Sequence, residues 1–269
     1  MLLSSEDKLK AAQQEMLSIL LEIDRICRKY HIKYWLVAGT LLGAIRHNGF
    51  IPWDDDCDIG MMRKDFERFQ EVLPTELPQQ FFLQTKKTDP QYPRRYTKIR
   101  SNRIKLIEHD ETYHEPYNQG VSVDIFIHDF YQPKQIPILV KLQEFSEKKK
   151  ERLSLPKNSL KRHLWGVLHF AQKIIHINQR EKLKRSALDD RSKESAFVGF
   201  ALDYHDYKAI FRRDELFPIQ RQISFEGRSF FIPYKAEKIL EQIYGDYLTL
   251  PPLEKRRFHA KDFMLGTME

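Results

Sequence analysis

Between Pro52 and Gly60 the chain reads Pro-Trp-Asp-Asp-Asp-Cys-Asp-Ile-Gly, four carboxylates in five positions. Like charges at that density repel one another. A folded chain tolerates them only where something cationic neutralises them. In an extended segment alternate residues share a face. A strand from about Asp56 would put Asp54, Asp56 and Asp58 on one side and Asp55 and Cys57 on the other. Asp56 and Asp58, followed by Ile59, form the i, i+2 pair that suits a hard divalent cation. Mg²⁺ takes a few carboxylates together with substrate phosphates. By itself a D-x-D is a weak signal, and an exposed acidic turn reads the same way.

The surrounding sequence narrows the choice. Residues 7–30 carry Leu9, Ala12, Met16, Ile19, Leu20, Ile23 and Cys27 at helical spacing, with Ser4 or Ser5 as cap. A short strand is expected at 33–38, then Gly39-Thr40, then a short helix over 41–47 that stops at Asn48-Gly49. Backbone N–H groups and the positive helix end at Gly39-Thr40 suit a phosphate. A helix over 63–74 is expected to close at Pro74. Strands follow over 81–127. In the clearest of them, 120–127, Asp124 stands among apolar residues, a costly place for a charge that is neither paired nor metal-bound. Lys98 and Arg100 alternate in a strand and could clamp phosphate from one face. Residues 223–233 read as a hairpin around Glu226-Gly227. A helix to Tyr244 ends at Gly245, and a Pro251-Pro252 turn and basic tail close the chain. Strands and helices mix early, and helices are expected over 136–150 and 158–188. The fold class is therefore α/β or α+β. The expected division is a core over 1–135, a helical basic insertion over 136–220, and a C-terminal part over 221–269 that completes the core.

Charge is segregated. Of the net +7, residues 141–193 carry +9 over 53 residues, and the rest carries −2. Such a patch points to a polyanionic partner, or else to a solvated insertion. The stripe Leu160, Leu164, Trp165, Leu168, Ala171 and Ile175 suits either an anionic membrane surface or packing on the chain's own domain. Mean hydropathy is −0.58, and no apolar run is long enough to span a bilayer. The N-terminus has no signal-peptide pattern, and two cysteines build no disulfide framework. The expected location is cytoplasmic, with peripheral contact at the membrane's cytoplasmic face. Zinc spacings, Walker A, G-x-G-x-x-G and G-x-S-x-G are absent.

The run AGTLLGAIRHNGFIPWDDDCDIGM (38–61) is far more specific than D-x-D. It resembles the LicD family of bacterial phosphocholine transferases, whose relatives include the fukutin-type transferases. VDIFIHD (123–129) is similar to the family's third acidic strand. Residues 225–260 also resemble the family through Gly227, Phe230, Pro233, Leu240, Tyr244-Gly245-Asp246-Tyr247, Pro251-Pro252, Arg257 and His259. Over 131–220 the likeness is weak. Cys57 departs from the pattern, where an aliphatic residue is more usual.

The resemblance implies a nucleotidyltransferase-like mixed sheet core. It implies Asp56, Asp58 and Asp124 as catalytic residues holding Mg²⁺ or Mn²⁺. Gly39, Thr40, Arg46, Trp53, Lys98, Arg100 and His259 would bind substrate. Trp53 is the best candidate for the face of a quaternary ammonium. The implied reaction moves phosphocholine from CDP-choline to a sugar hydroxyl of a lipid-linked glycan precursor of the teichoic acid or lipopolysaccharide type, releasing CMP. Asp54 and Asp124 are candidates for the base. The alternatives are transfer from CDP-ribitol or CDP-glycerol, or a nucleotidyltransferase acting on RNA or a small molecule. On the leading reading no nucleic acid partner is expected, and residues 141–193 make the membrane contact.

Overall fold

In the computed structural model the described residues are 4–94, 96–131, 196–200, 209–256 and 258–266. The helices expected over 136–150 and 158–188 lie outside them, as do all of the basic segment 141–193 and most of the expected insertion over 136–220. Contacts divide the chain into two compact units, residues 1–127 with 215–269, and residues 128–214.

The first unit opens with α1 (Ser5–Lys29). Ser4 caps it: its Oγ accepts from the Asp7 N–H at 3.1 Å, and the Asp7 carboxylate reaches back to the Ser4 N–H. The buried stripe from Leu9 to Cys27 follows the spacing in the sequence. This face packs on the strands Thr97–Glu108 and Ala260–Leu265 and reaches the helix Arg63–Glu76. A short β1 (Trp35–Leu36) leads into α2 (Ala38–His47). That helix starts earlier than the expected 41. Ala38 turns at a φ of +47°, and the Leu41 N–H closes on the Val37 carbonyl at 3.0 Å. Gly39 and Thr40 therefore lie in the first helical turn rather than ahead of it.

β2 (Asp58–Met62) runs antiparallel to β1, with Trp35 opposite Gly60. It begins two residues later than expected, so Asp54–Cys57 form the loop that enters the strand. α3 (Arg63–Glu76) runs two residues past Pro74. Proline removes only its own N–H, and the Leu77 N–H still closes on the Leu73 carbonyl at 2.9 Å. The sheet continues through β3 (Phe81–Gln84), β4 (Thr97–Glu108) and β5 (Gly120–Tyr131). The order is β1-β2-β5-β4, and β4 is flanked on its far side by β3 and by β10 (Ala260–Leu265). β10 corrects the expected basic tail. Ala260 and Phe263 are buried, and the strand pairs antiparallel with residues 104–108.

The hairpin of β8 (Gln222–Phe225) and β9 (Arg228–Phe231) turns at Glu226 and Gly227, both at positive φ. Two positive-φ residues match the strand twist in a two-residue turn. Its tip touches the Asn48-Gly49 turn after α2: the Glu226 N–H donates to the Asn48 carbonyl, and Glu226 Oε1 accepts from the Phe50 N–H, both at 3.0 Å. α4 (Ala236–Tyr244) ends at Gly245, also at positive φ. The layout is that of an α+β, nucleotidyltransferase-like core with a mixed sheet.

The second unit takes the last residues of β5. Asp129–Tyr131 pair antiparallel with β6 (Phe197–Gly199), which pairs with β7 (Ile210–Arg212). Among the described residues, no helix is long and apolar enough to cross a membrane.

Candidate active site

The acidic loop is held from three directions. From α1, Gln13 Nε2 donates to the Asp54 carbonyl at 2.8 Å and to the Ile51 carbonyl at 3.3 Å. From α2, Thr40 Oγ1 accepts the Asp58 N–H at 2.7 Å. From β5, the Asp124 N–H donates to the Cys57 carbonyl at 2.8 Å. These bonds bring α2, the loop and β5 together, and with them Gly39, Asp54, Asp56, Asp58 and Asp124.

The acids act on one another through their charges. Burial pushes the Asp58 carboxyl well above the usual range, and repulsion from Asp56, Asp124 and Asp54 adds to it. Burial, then Asp56 and Asp55, raises Asp54 to about 7. Asp54 Oδ2 lies 2.8 Å from where a β-carbon on Gly39 would stand, so only glycine leaves that carboxylate its place.

Asp124 is not an uncompensated buried charge. Lys98 Nζ stands 2.8 Å from its Oδ1, and Ser122 Oγ donates to the same oxygen at 3.0 Å. The antiparallel register puts Lys98 directly across from Asp124. Burial opposes the Lys98 charge, but Asp124 outweighs it and the ammonium is held more firmly than usual. Arg100 shares the face of Lys98 and is likewise buried. Its Nε donates to Gln84 Oε1 at 2.6 Å, and its Nη1 donates to the Gly120 carbonyl. Those bonds engage its guanidinium within the protein.

Asp55 turns the other way. Its side chain is 0% exposed, and its Oδ2 accepts the N–H groups of His259 at 2.8 Å and Ala260 at 2.5 Å. His259 Nδ1 lies 3.0 Å from Asp55 Oδ1 and 2.9 Å from Asp56 Oδ2. The hydrogen bonds to Asp55, then Asp56, raise the imidazole to about 11, so it stands as a cation between them. Asp56 is held below the usual carboxylate range: burial works against this, but His259 outweighs it, with Lys98 and Arg94 assisting.

A second group borders the acids. Arg46 Nη1 donates to the Tyr247 carbonyl at 2.8 Å. The Arg256 guanidinium lies 3.9 Å over the Trp53 ring, and His47 meets that ring edge-on at 6.1 Å. The Trp53 face proposed for a quaternary ammonium thus already carries a cation. Tyr244, at the end of α4, has its phenol raised by burial and by the charges of Asp58 and Asp54. Tyr244 and Arg256 were not singled out as site residues. Tyr244 stands in the Tyr-Gly-Asp-Tyr run, which could have flagged it, whereas Arg256 is one of many arginines.

Partly buried carboxylates that outnumber the cations beside them are the donor chemistry of a hard divalent ion. Asp56, Asp58 and Asp124 supply oxygen donors of that kind. Among the described residues, Asp55, Asp56 and His259 also place one ligand atom each within 4.8 Å of the others.

The class that this fold and cluster define is matched in sequence. The model of the LicD/FKTN/FKRP nucleotidyltransferase domain matches residues 31–161. The chain is 31% identical over 263 residues to the lipopolysaccharide cholinephosphotransferase LicD of Haemophilus influenzae, covering 94% of this chain and 96% of that one. It belongs to the LicD family. Over 45 residues, 17% of this chain and 9% of the other, it is 42% identical to the human ribitol 5-phosphate transferase FKRP. An uncharacterized protein of Rickettsia typhi is 50% identical over 56 residues, 21% of this chain and 18% of that one.

Proposed function

We propose that this chain is a phosphotransferase that moves phosphocholine from CDP-choline to a sugar hydroxyl of a lipid-linked cell-surface glycan, releasing CMP. The observation that carries the reading is the near full-length match to a lipopolysaccharide cholinephosphotransferase. The acid cluster supplies the chemistry. Asp56, Asp58 and Asp124 would hold Mg²⁺ or Mn²⁺, which when bound neutralises phosphate charge on donor and leaving group. The first turn of α2, at Gly39 and Thr40, offers backbone N–H groups to a donor phosphate. Lys98 fixes Asp124 and adds one positive charge beside the phosphates. Of the two candidate bases, Asp124 Oδ1 is taken by Lys98 and Ser122. Asp54 therefore takes the acceptor hydroxyl's proton as the oxygen attacks phosphorus and the bond to CMP breaks. His259 keeps Asp56 oriented from behind.

A second reading rests on the local match to a ribitol 5-phosphate transferase and on Arg256 covering Trp53. It replaces choline by a polyol and keeps every other role. The test is a panel of CDP-choline, CDP-ribitol and CDP-glycerol with a lipid-linked glycan, scored for CMP release with and without Mg²⁺ or Mn²⁺. Metal-dependent release from CDP-choline alone is the expected result. Release only from CDP-ribitol selects the second reading, and release of pyrophosphate from a nucleoside triphosphate overturns both.

A further inference from the structure

The segment between α4 and β10 exposes three leucines within six residues: Leu248 is 63% exposed, Leu250 48% and Leu253 73%. Phe258 follows them and is also exposed. Single exposed leucines are ordinary, but a run of apolar side chains this short and this bare marks an interaction surface.

The backbone beneath the leucines is tied down. Arg46 holds the Tyr247 carbonyl, Arg256 Nε donates to the Pro251 carbonyl at 3.3 Å, and the Arg256 guanidinium rests on Trp53. Pro251 and Pro252 stiffen the centre, and Leu253–Lys255 form a 3-10 turn. The leucines thus project from an anchored loop. The charge beside them is mainly positive. From Asp246 to Lys261 the sequence carries Lys255, Arg256, Arg257 and Lys261 against Asp246 and Glu254, and Lys255 and Lys261 are exposed.

Apolar anchors beside lysines fit one environment well, the boundary between anionic headgroups and acyl chains. Leucines enter the apolar layer there while lysines stay among the phosphates. We infer that the 244–258 loop is a membrane-docking element that seats the mouth of the acid cluster on an anionic bilayer. The fit is by charge complementarity, and the loop is continuous with the site through Arg46, Trp53 and His259. The inference stands apart from the proposed reaction, since docking requires neither donor nor acceptor.

The test is flotation of the full chain with phosphatidylcholine vesicles and with phosphatidylcholine–phosphatidylglycerol vesicles. Wild type should float with the anionic vesicles. The combined variant Leu248→Ser, Leu250→Ser, Leu253→Ser should bind them at least about tenfold more weakly, because each leucine loses its apolar transfer. Its melting temperature should stay close to wild type, since all three side chains are exposed. A second variant, Leu250→Trp, reads the same contact directly: its added fluorescence should shift to the blue on anionic vesicles. Equal flotation of the serine variant with an unshifted tryptophan would overturn the inference. A wild-type dimer that the serine variant dissociates, with no flotation of either, would also overturn it and make a second copy the occupant.

Discussion

Gly39 and Asp54 meet so closely that the site depends on a missing methyl group. A β-carbon at 39 would stand 2.8 Å from Asp54 Oδ2, so Gly39→Ala should push that carboxylate aside. Activity should fall by more than about tenfold, as misplacement of reacting groups does, while the melting temperature changes little. Asp56→Asn and Asp58→Asn should each remove most activity and leave the fold intact, because a ligand charge is lost from a set that still fits. Asp55→Asn behaves differently. Strand alternation in the sequence points Asp55 away from its neighbours and predicts a mild effect. The structure keeps it apart from the cluster centre but buries it on the His259 and Ala260 N–H groups. Losing those charged hydrogen bonds should cost about 1–3 kcal/mol of stability, read as a lower melting temperature. The paired acids and Asp124 were legible because clustered or buried charge is conspicuous in sequence. The Asp55–His259 contact was not, because it joins positions 204 residues apart. The partner of Asp124 was equally hidden: the sequence reads Lys98 as a phosphate clamp, and only the β4–β5 register sets it opposite Asp124.

Elements that depend on their own side chains were readable, and those that depend on partners were not. The stripe of α1 and the Glu226-Gly227 turn carry their signals locally. β10 looks like a polar tail until β4 pairs with it, and α3 outlasts Pro74 because the last turn closes without the missing donor. α1 and α3 are tied at their ends through Glu76. Its carboxylate accepts from Lys29 Nζ at 2.6 Å and Tyr30 Oη at 2.7 Å, with Arg25 Nη1 at 3.1 Å. Lys29 first, then Tyr30, hold this acid down at about 2 from an ordinary 4.5. A carboxylate depressed in the folded state adds stability that is fully present above 4.5 and is lost as pH falls toward 2. Glu76→Gln should therefore melt below wild type near neutral pH. The gap should close as pH falls through that window. Thermal melts of both proteins across the acid range check this, and a gap that stays constant with pH would remove the charge from the account.

At the scale of the whole molecule, charge is divided between a −2 remainder and a +9 segment over 141–193. That segment lies outside the described residues, so its role is argued from charge alone. Mg²⁺ with CDP-choline should raise the melting temperature by mass action, and Asp124→Ala should abolish that shift. On the proposed reaction the metal would supply the charge that holds the small donor, so the basic segment would act on something larger and anionic. Near an anionic surface each lysine or arginine contributes about 1 kcal/mol, screened beyond a Debye length of roughly 8–10 Å. Neutralising Lys148, Lys149, Lys150, Lys182, Lys184 and Arg185 should weaken binding to anionic vesicles and slow transfer to a lipid-linked acceptor. Donor hydrolysis without acceptor should barely change. Salt separates this contribution from that of the leucine loop. Raising ionic strength should erase the difference between wild type and the neutralised variant, because both lose the screened term. The deficit of the serine variant should persist, because apolar transfer is not screened. Flotation of all three proteins at low and moderate salt reads both effects together. Equal flotation of wild type and the neutralised variant at low salt would leave 141–193 as a solvated insertion, and tight, salt-sensitive RNA binding by wild type would turn the reading toward a nucleotidyltransferase.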